Sequence, residues 1–491
     1  MTLFTLMEVA MGNTIFSGGV SSRMQSSDRE RQRLSGPAFV RSASLLLSVG
    51  IWATAVLPAQ AVTLGYDFDT ATGICQDAVS PSNPNALPGA VMLLMKDGQP
   101  VYEQAFGKYN TQTVVPTASI SKTLAAGVMM SLVDSGQLSM SDPVAKYVPD
   151  FNKTTNKASI TLGECFSHTS GLPDNPAALY NYNMSLPDFA EQMASSVLIS
   201  KPGTQFSYGE ASMQTAGGCA ELATGQLFTS LFQQRIAVPL GMSNTAYTVY
   251  NATTPLVAGG ISSNAEDLAK FMEMLRLGGT VNGKQILSAN SVKAMLTDQI
   301  AGIPHDTGFG QPPLTSDYGY GTWLDMNPDG SLRDAYGAGV FGTYMFLVPS
   351  LNLTAVFLTN SMNSDAQTVL SLTSTVEAQI ASPQLGGDTD LSHTVDYNDL
   401  LTAVKHLGTT HALWADGDMN GDGVVDQKDL DILQADYLTS APGATTTPYS
   451  PTGSFDSDLT LAMRSVPEPA AGLLLLTAVL GWLVFRFRAR G

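Results

Sequence analysis

Cysteine, histidine and basic side chains are scarce in this chain of 491 residues: three Cys, five His, and 24 Lys and Arg against 42 Asp and Glu. Three cysteines, Cys75, Cys165 and Cys219, cannot build a disulfide scaffold, and an odd number leaves at least one thiol unpaired. Cys165 and Cys219 lie in apolar runs and read as buried small hydrophobes, and no spacing among the three suits a metal. A net charge of −18 argues against a nucleic-acid partner and leaves room for cations. No G-x-S-x-G elbow occurs, and neither His168 nor His305 follows a suitable acidic pattern, which argues against a Ser-His-Asp hydrolase. With 44% hydrophobic and only 13% charged residues, the composition is that of one large globular domain with appendages.

Both ends read as addresses. Arg23, Arg29, Arg31, Arg33 and Arg41 precede an apolar run opened by Ser44-Leu45-Leu46-Leu47 and ended by Pro58-Ala59-Gln60-Ala61. That order makes residues 1–61 a secretory signal region cleaved after Ala61, with Met24 as an alternative start. At the other end Val466-Pro467-Glu468-Pro469 precedes an apolar stretch from Ala470 to Phe485, closed by Arg486, Arg488 and Arg490. The stretch is slightly short of the roughly twenty residues of an untilted span, and the arginines set an inward-facing end. Residues 466–491 resemble the PEP-CTERM sorting tail of some Gram-negative bacteria. The resemblance implies an exported protein held at the membrane and then processed; a plain transmembrane anchor is the alternative.

Three stretches lie between. Residues 62–384 have ordinary globular composition, 385–440 are aspartate-rich with an internal repeat, and 441–465 form a Ser/Thr/Pro/Gly-rich linker. Val91–Met95 and Val101–Ala105 flank Lys96-Asp97-Gly98-Gln99-Pro100, which predicts a hairpin. Leu124, Val128, Leu132 and Val133 continue from Ser119 at helical spacing, so Ser119 stands at a helix start with Lys122 one turn on.

Ser119-Ile120-Ser121-Lys122 is the one S-x-x-K in the chain. A serine hydroxyl becomes a nucleophile when a neighbouring group takes its proton, and a helix N-terminus adds partial positive charge where an oxyanion develops. Taken alone, the pair also suits a helix cap beside a solvated lysine. Further segments change the balance: Asp142-Pro143-Val144-Ala145-Lys146-Tyr147-Val148-Pro149, Ile160–Leu172 with His168-Thr169-Ser170-Gly171, Lys201-Pro202-Gly203-Thr204-Gln205-Phe206-Ser207-Tyr208, and Gly259–Leu268.

In order and spacing, these segments resemble the beta-lactamase-related serine hydrolases: class C beta-lactamases, D-stereospecific peptidases and beta-lactamase-like esterases. The likeness covers roughly residues 85–380. It implies an α+β fold, an antiparallel sheet flanked by helices, with a helical subdomain from about 140 to 255 and the site in the cleft between them. It also implies Ser119 as the acylated nucleophile, Lys122 as the motif lysine and Tyr208 as the residue that takes the serine proton, with no cofactor for catalysis. The backbone N–H groups of Ser119 and Val340 would form the oxyanion hole. His168 would be a buried, hydrogen-bonded structural histidine. Two positions depart from the pattern. Glu210 replaces the asparagine of Y-x-N, where a carboxylate pairs with Lys122 but opposes negative charge on Tyr208. The substrate strand maps to Gly337, Ala338 and Gly339, without the basic residue that holds a substrate carboxylate in penicillin-recognising members. An uncharged ester or amide, small or peptidic, is therefore expected over a beta-lactam. A catalytically silent surface protein that uses the fold for binding or assembly is the second reading.

The acidic stretch carries its own pattern. Asp418, Asn420, Asp422, Asp426 and Asp429 supply oxygens at loop positions 1, 3, 5, 9 and 12, with Gly423 at 6 and the Val424 carbonyl at 7, the donor order that wraps a hard cation. A weaker copy precedes it: Asp388, Asp390, Ser392, Thr394, Asp396 and Asp399, with His393 where glycine makes the sharp turn. Each copy runs into a helical pattern. The pair resembles a dockerin type I module, which implies calcium and a cohesin-like protein partner.

Overall fold

The structure is a computed structural model and describes residues 64–251, 253–304, 317–362, 366–441, 444 and 446–466. The expected signal region 1–61, the expected sorting tail beyond Val466 and His305 lie outside the described residues. The chain enters on β1 (Leu64–Gly65) and α1 (Asp69–Val79), then forms β2 (Gly89–Lys96) and β3 (Gln99–Gly107). The last two are the expected hairpin: Asp97 and Gly98 are both left-handed, at φ 53° and 79°, as a two-residue turn between twisted strands requires. Short β4 (Val115–Pro116) leads to α2 (Ile120–Asp134), with Ser119 at its cap position.

The region from 140 to 255 is mainly helical, as expected, and contains α3 (Leu186–Ala194) and α4 (Ala211–Thr224). The chain returns through β5 (Ile261–Ser263), paired with β4, into α5 (Ala265–Arg276). It then adds β6 (Asp317–Tyr318), β7 (Trp323–Met326), β8 (Leu332–Ala338), β9 (Tyr344–Val348), β10 (Leu353–Leu358) and α6 (Ala366–Ala381).

The main sheet is antiparallel throughout, in the order β6-β7-β8-β9-β10-β2-β3. Val91, Leu93, Met345, Leu347, Val356 and Leu358 share a core with α2 and α5, and the alternate residues Met92, Leu94, Tyr344, Phe346 and Phe357 pack under α1 and α6. Because helices cover both faces, β2 reads as an unbroken apolar run rather than an alternating one. This is the α+β arrangement the sequence resemblance implied.

β11 (Gln384–Leu385) pairs with β1, bringing the chain back to its first strand. The acidic stretch follows, its loops leading into α7 (Tyr397–His406) and α8 (Gln427–Asp436). The expected linker 441–465 needs correction, because it contains α9 (Phe455–Ser465), which packs into the core of α7 and α8. Phe455, Leu459, Ala462 and Met463 recur at helical spacing, a signal hidden by the surrounding Ser, Thr and Pro. Asp458 is fully buried there and accepts hydrogen bonds from the Tyr437 hydroxyl (2.7 Å), Ser450 Oγ, and Thr452 N–H (3.0 Å) and Oγ1 (2.7 Å).

All three cysteines are buried and free, and burial pushes the Cys219 thiol up to about 12. Among the described residues no helix is long and apolar enough to cross a membrane.

Candidate active site and acidic loops

Ser119 follows a strained residue. Ala118 has φ 49°, a left-handed conformation that costs a residue with a side chain roughly 1–3 kcal/mol. Four hydrogen bonds hold it: Thr117 N–H to Ile261 O (2.9 Å), Ile261 N–H to Ser121 Oγ (3.0 Å), Ser121 Oγ to Ala118 O (2.7 Å), and Asn360 Nδ2 to Pro116 O (2.8 Å). The serine is thereby fixed at the N-terminal end of a buried fifteen-residue helix.

Lys122 is 1% exposed. Its ammonium donates to Ser119 Oγ at 3.0 Å and to Ala258 O at 3.2 Å, lies 4.6 Å from the centre of the Tyr208 ring, and stands 4.0 Å from Glu210 Oε1. The three residues singled out from sequence therefore meet, and Glu210 supplies the counter-charge as expected. Tyr208 and Glu210 are set by the crossing of residue 174 beneath them. A Cβ on Gly209 would lie 2.6 Å from Asp174 Cα, and Asp174 O accepts the N–H of Glu210 (3.0 Å) and Ala211 (3.1 Å).

Sequence reasoning missed the aromatic wall around Tyr208. Trp323 stacks on it with ring centres 5.3 Å apart, and Tyr318 and Phe206 close the cluster. Trp323 arrives through a turn at Gly321, whose Cβ would meet Lys122 O at 2.5 Å and whose carbonyl accepts Thr123 Oγ1 at 2.7 Å. Glycine at 321 was the available signal. His168 is buried as expected and lies 4.7 Å from the Tyr208 ring, but the expectation that it is hydrogen-bonded is corrected. Among the described residues neither ring nitrogen has a partner, and burial together with Lys122 pushes the imidazole well below its usual range.

The Gly337-Ala338-Gly339 segment ends β8. A Cβ on Gly337 would face inward, 3.0 Å from Met345 Cε, 3.2 Å from Thr123 Oγ1 and 3.3 Å from Ile120 Cδ1. A side chain at this position would therefore start against core side chains, which would have to give way. Gly339 is required more strictly, since its Cβ would lie 2.3 Å from Thr117 O. That close approach brings the turn at Val340 alongside the turn carrying Ser119.

The two acidic loops are built alike. Asp388 accepts the N–H groups of Ser392 (2.9 Å) and His393 (2.7 Å), as Asp418 accepts those of Asp422 (3.2 Å) and Gly423 (2.8 Å). Asp399 accepts from Thr389 and Asp396, and Asp429 from Met419 and Asp426, all at 2.8 Å. Asp396 and Asp426, expected as ligands, cap α7 and α8 by accepting Asn398 and Lys428 N–H at 2.7 Å. Thr394 and Val424 bridge Ser440 and Thr410, and Asn420 Oδ1 accepts Asp422 N–H at 2.8 Å.

Carboxylate oxygens of Asp388, Asp390 and Asp399 lie within 4.8 Å of one another, which fits a hard divalent cation. Among the described residues that grouping occurs only in the loop ranked weaker from sequence. In the second loop Asp422 is engaged by Lys428 at 2.7 Å, and burial raises Asp418 and Asp429 to about 7 and about 6. The second loop repeats the backbone hydrogen bonds of the first around Asp418 and Asp429 and presents the same donor order, and on that ground it also suits a cation.

Comparison with known proteins bears on the family and the fold. The family model described as Beta-lactamase matches residues 79–378. The D-alanyl-D-alanine-carboxypeptidase/endopeptidase AmpH of Escherichia coli (strain K12) is 27% identical over 274 residues, covering 50% of this chain and 70% of AmpH. Penicillin-binding protein 4 of Amycolatopsis lactamdurans is 26% identical over 316 residues, covering 56% of this chain and 81% of that protein. A crystal structure of a candidate beta-lactamase from Bacteroides dorei DSM 17855 superposes with a TM-score of 0.57 at 27% identity, over 65% of this chain and 100% of that one.

Proposed function

Because the chain belongs to the beta-lactamase family of serine hydrolases, we propose that it is an acyl-transfer hydrolase in which Ser119, Lys122 and Tyr208 cleave an uncharged ester or amide. The observation that carries this reading is the buried Lys122 ammonium, 3.0 Å from Ser119 Oγ and beside the Tyr208 ring. Ser119 Oγ adds to the carbonyl carbon as its proton passes to Tyr208, whose negative form Lys122 favours. The N–H groups of Ser119 and Val340 hold the oxyanion. The leaving alcohol or amine takes the proton from Tyr208, and water then releases the acid from the acylated serine by the same route.

The core packing around Gly337 supports an esterase or peptidase over a beta-lactamase, and the names of the relatives add peptides to the substrate classes. In the full-length protein, p-nitrophenyl butyrate is turned over faster than nitrocefin, and a fluorophosphonate labels Ser119 but not the Ser119→Ala variant. Absence of labelling would favour the catalytically silent surface protein, to which Glu210 and Gly337 also lend support. Lys122→Met lowers ester turnover by roughly 10²–10⁴-fold.

The finer readings extend this one. Residues 1–61 and 466–491 support an exported protein held at the envelope by its tail or secreted after processing; native peptides beyond Phe485 in a mass spectrum would contradict processing. The paired acidic loops support a dockerin-like module that takes calcium, with a cohesin-like protein as the partner its resemblance implies.

A further inference from the structure

The two acidic loops share their backbone conformation but not their side chains. At matching places the first loop carries Leu391 and His393, with φ 57° and 65°, and the second carries Gly421 and Gly423, with φ 69° and 83°. Since the first loop reaches these angles with bulky residues, the angles alone do not explain the glycines of the second. Packing does. A Cβ on Gly421 would lie 2.8 Å from Val101 O, and one on Gly423 would lie 2.9 Å from Gln104 Cδ, both in β3 of the hydrolase domain.

β3 is the edge of the main sheet, and the second loop pairs with it: Glu103 N–H donates to Gly421 O at 3.0 Å. Beside this bond Gln104 Nε2 donates to Asp418 Oδ2 at 3.2 Å and to Ala412 O at 3.5 Å. Gln104 is 4% exposed, and among the described residues its Oε1 has no hydrogen-bond partner although it sits where the loop turns, 3.2 Å from a Cβ built on Gly423. Two further contacts hold the same face. Asp69 accepts Trp414 N–H at 2.6 Å and Ala415 N–H at 3.4 Å, and the Trp414 ring fills the space of a Cβ on Gly65.

We propose that the second acidic loop is a divalent-cation clamp for the hydrolase domain of the same chain, with Gln104 of β3 as a positioning residue of the cation site through Asp418. This rests on the calcium reading of the loops above. Cation binding draws the loop into its final form, and the loop carries the Glu103–Gly421 bond, so occupancy of the second site stabilises the hydrolase sheet edge. The first loop, which makes no such contact in the positions compared, serves as the internal control.

The test uses the full-length protein stripped with a chelator, with Ca²⁺ alone as the probe, followed by calorimetry and thermal unfolding. Calcium raises the hydrolase unfolding temperature by about 3–5 °C. Asp422→Asn abolishes that rise, Asp390→Asn preserves it, and Gln104→Ala weakens calcium binding by about 10–100-fold and uncouples it from hydrolase unfolding. Calcium uptake with no change in hydrolase unfolding, or a rise unaffected by Asp422→Asn, overturns the clamp while leaving the calcium reading intact. No calcium uptake by the unsubstituted protein overturns both.

Discussion

Glu210 Oε1 stands 4.0 Å from the Lys122 ammonium, and this pairing sets the electrostatics of the serine that lysine serves. Lys122 has 1% of its surface exposed, so its charge is answered by protein groups: this carboxylate, the Ser119 hydroxyl and the Ala258 carbonyl. The carboxylate balances the ammonium's charge and also opposes negative charge developing on the adjacent Tyr208. Glu210→Asn relieves the opposition and raises kcat for p-nitrophenyl esters about 3–10-fold, with a small loss of thermal stability from the broken pair. A fall in kcat would show that the carboxylate assists the chemistry.

Position 337 resists exchange for a cationic residue. Gly337→Lys drives a side chain into Met345, Thr123 and Ile120, lowers stability by about 1–3 kcal/mol and confers no nitrocefin turnover. Gly339→Ala is worse for activity than its size suggests, because its Cβ would lie 2.3 Å from the Thr117 carbonyl in the turn that carries Ser119. Denaturant melts and esterase assays on the two variants separate these effects.

His168 has two buried ring nitrogens without partners among the described residues, and each such group costs about 1–3 kcal/mol. His168→Phe therefore folds with equal or greater stability and keeps activity within about twofold, whereas loss of activity would reveal a catalytic imidazole. The folded imidazole is held well below the ordinary 6.5, so its contribution to stability is present above pH 6.5 and is lost as the pH falls and the unfolded chain takes up the proton. His168→Phe flattens that acid-side slope in unfolding temperature.

Glu221 has the opposite sign. Burial raises its carboxyl from 4.5 to about 7, so between those values the folded protein holds a proton that the unfolded chain has lost. Stability from this group falls as the pH rises from 4.5 to about 7 and is level beyond. Glu221→Gln keeps the acceptor for Phe228 N–H, now at 2.8 Å, and removes the slope in melts across that range.

Local chemistry was legible in the sequence where it depends on neighbours along the chain. The Asp97-Gly98 turn and the helix opening at Ser119 follow from spacing, and the meeting of Tyr208 with Ser119 and Lys122 was implied by the family resemblance that several motifs carry together. Contacts between distant segments were not. Trp323 reaches Tyr208 only because Gly321 lets its turn press on α2, and the inward direction of Gly337 depends on its pairing with Met345 in β9. α9 was hidden because the four apolar residues it packs inward lie among polar ones, and their burial depends on a partner surface formed by α7 and α8. The fit of Gly421 against Val101 joins residues more than three hundred positions apart, beyond any local periodicity.

That fit has a practical side for the shortened protein. Cutting the chain after residue 384 would remove the Gly421 carbonyl from Glu103 N–H and uncover part of β3, the edge strand of the main sheet. An uncovered edge strand is a template for a strand from another molecule. A hydrolase domain prepared without the segment after residue 384 is expected to self-associate more readily than the full chain, which light scattering on the two proteins checks.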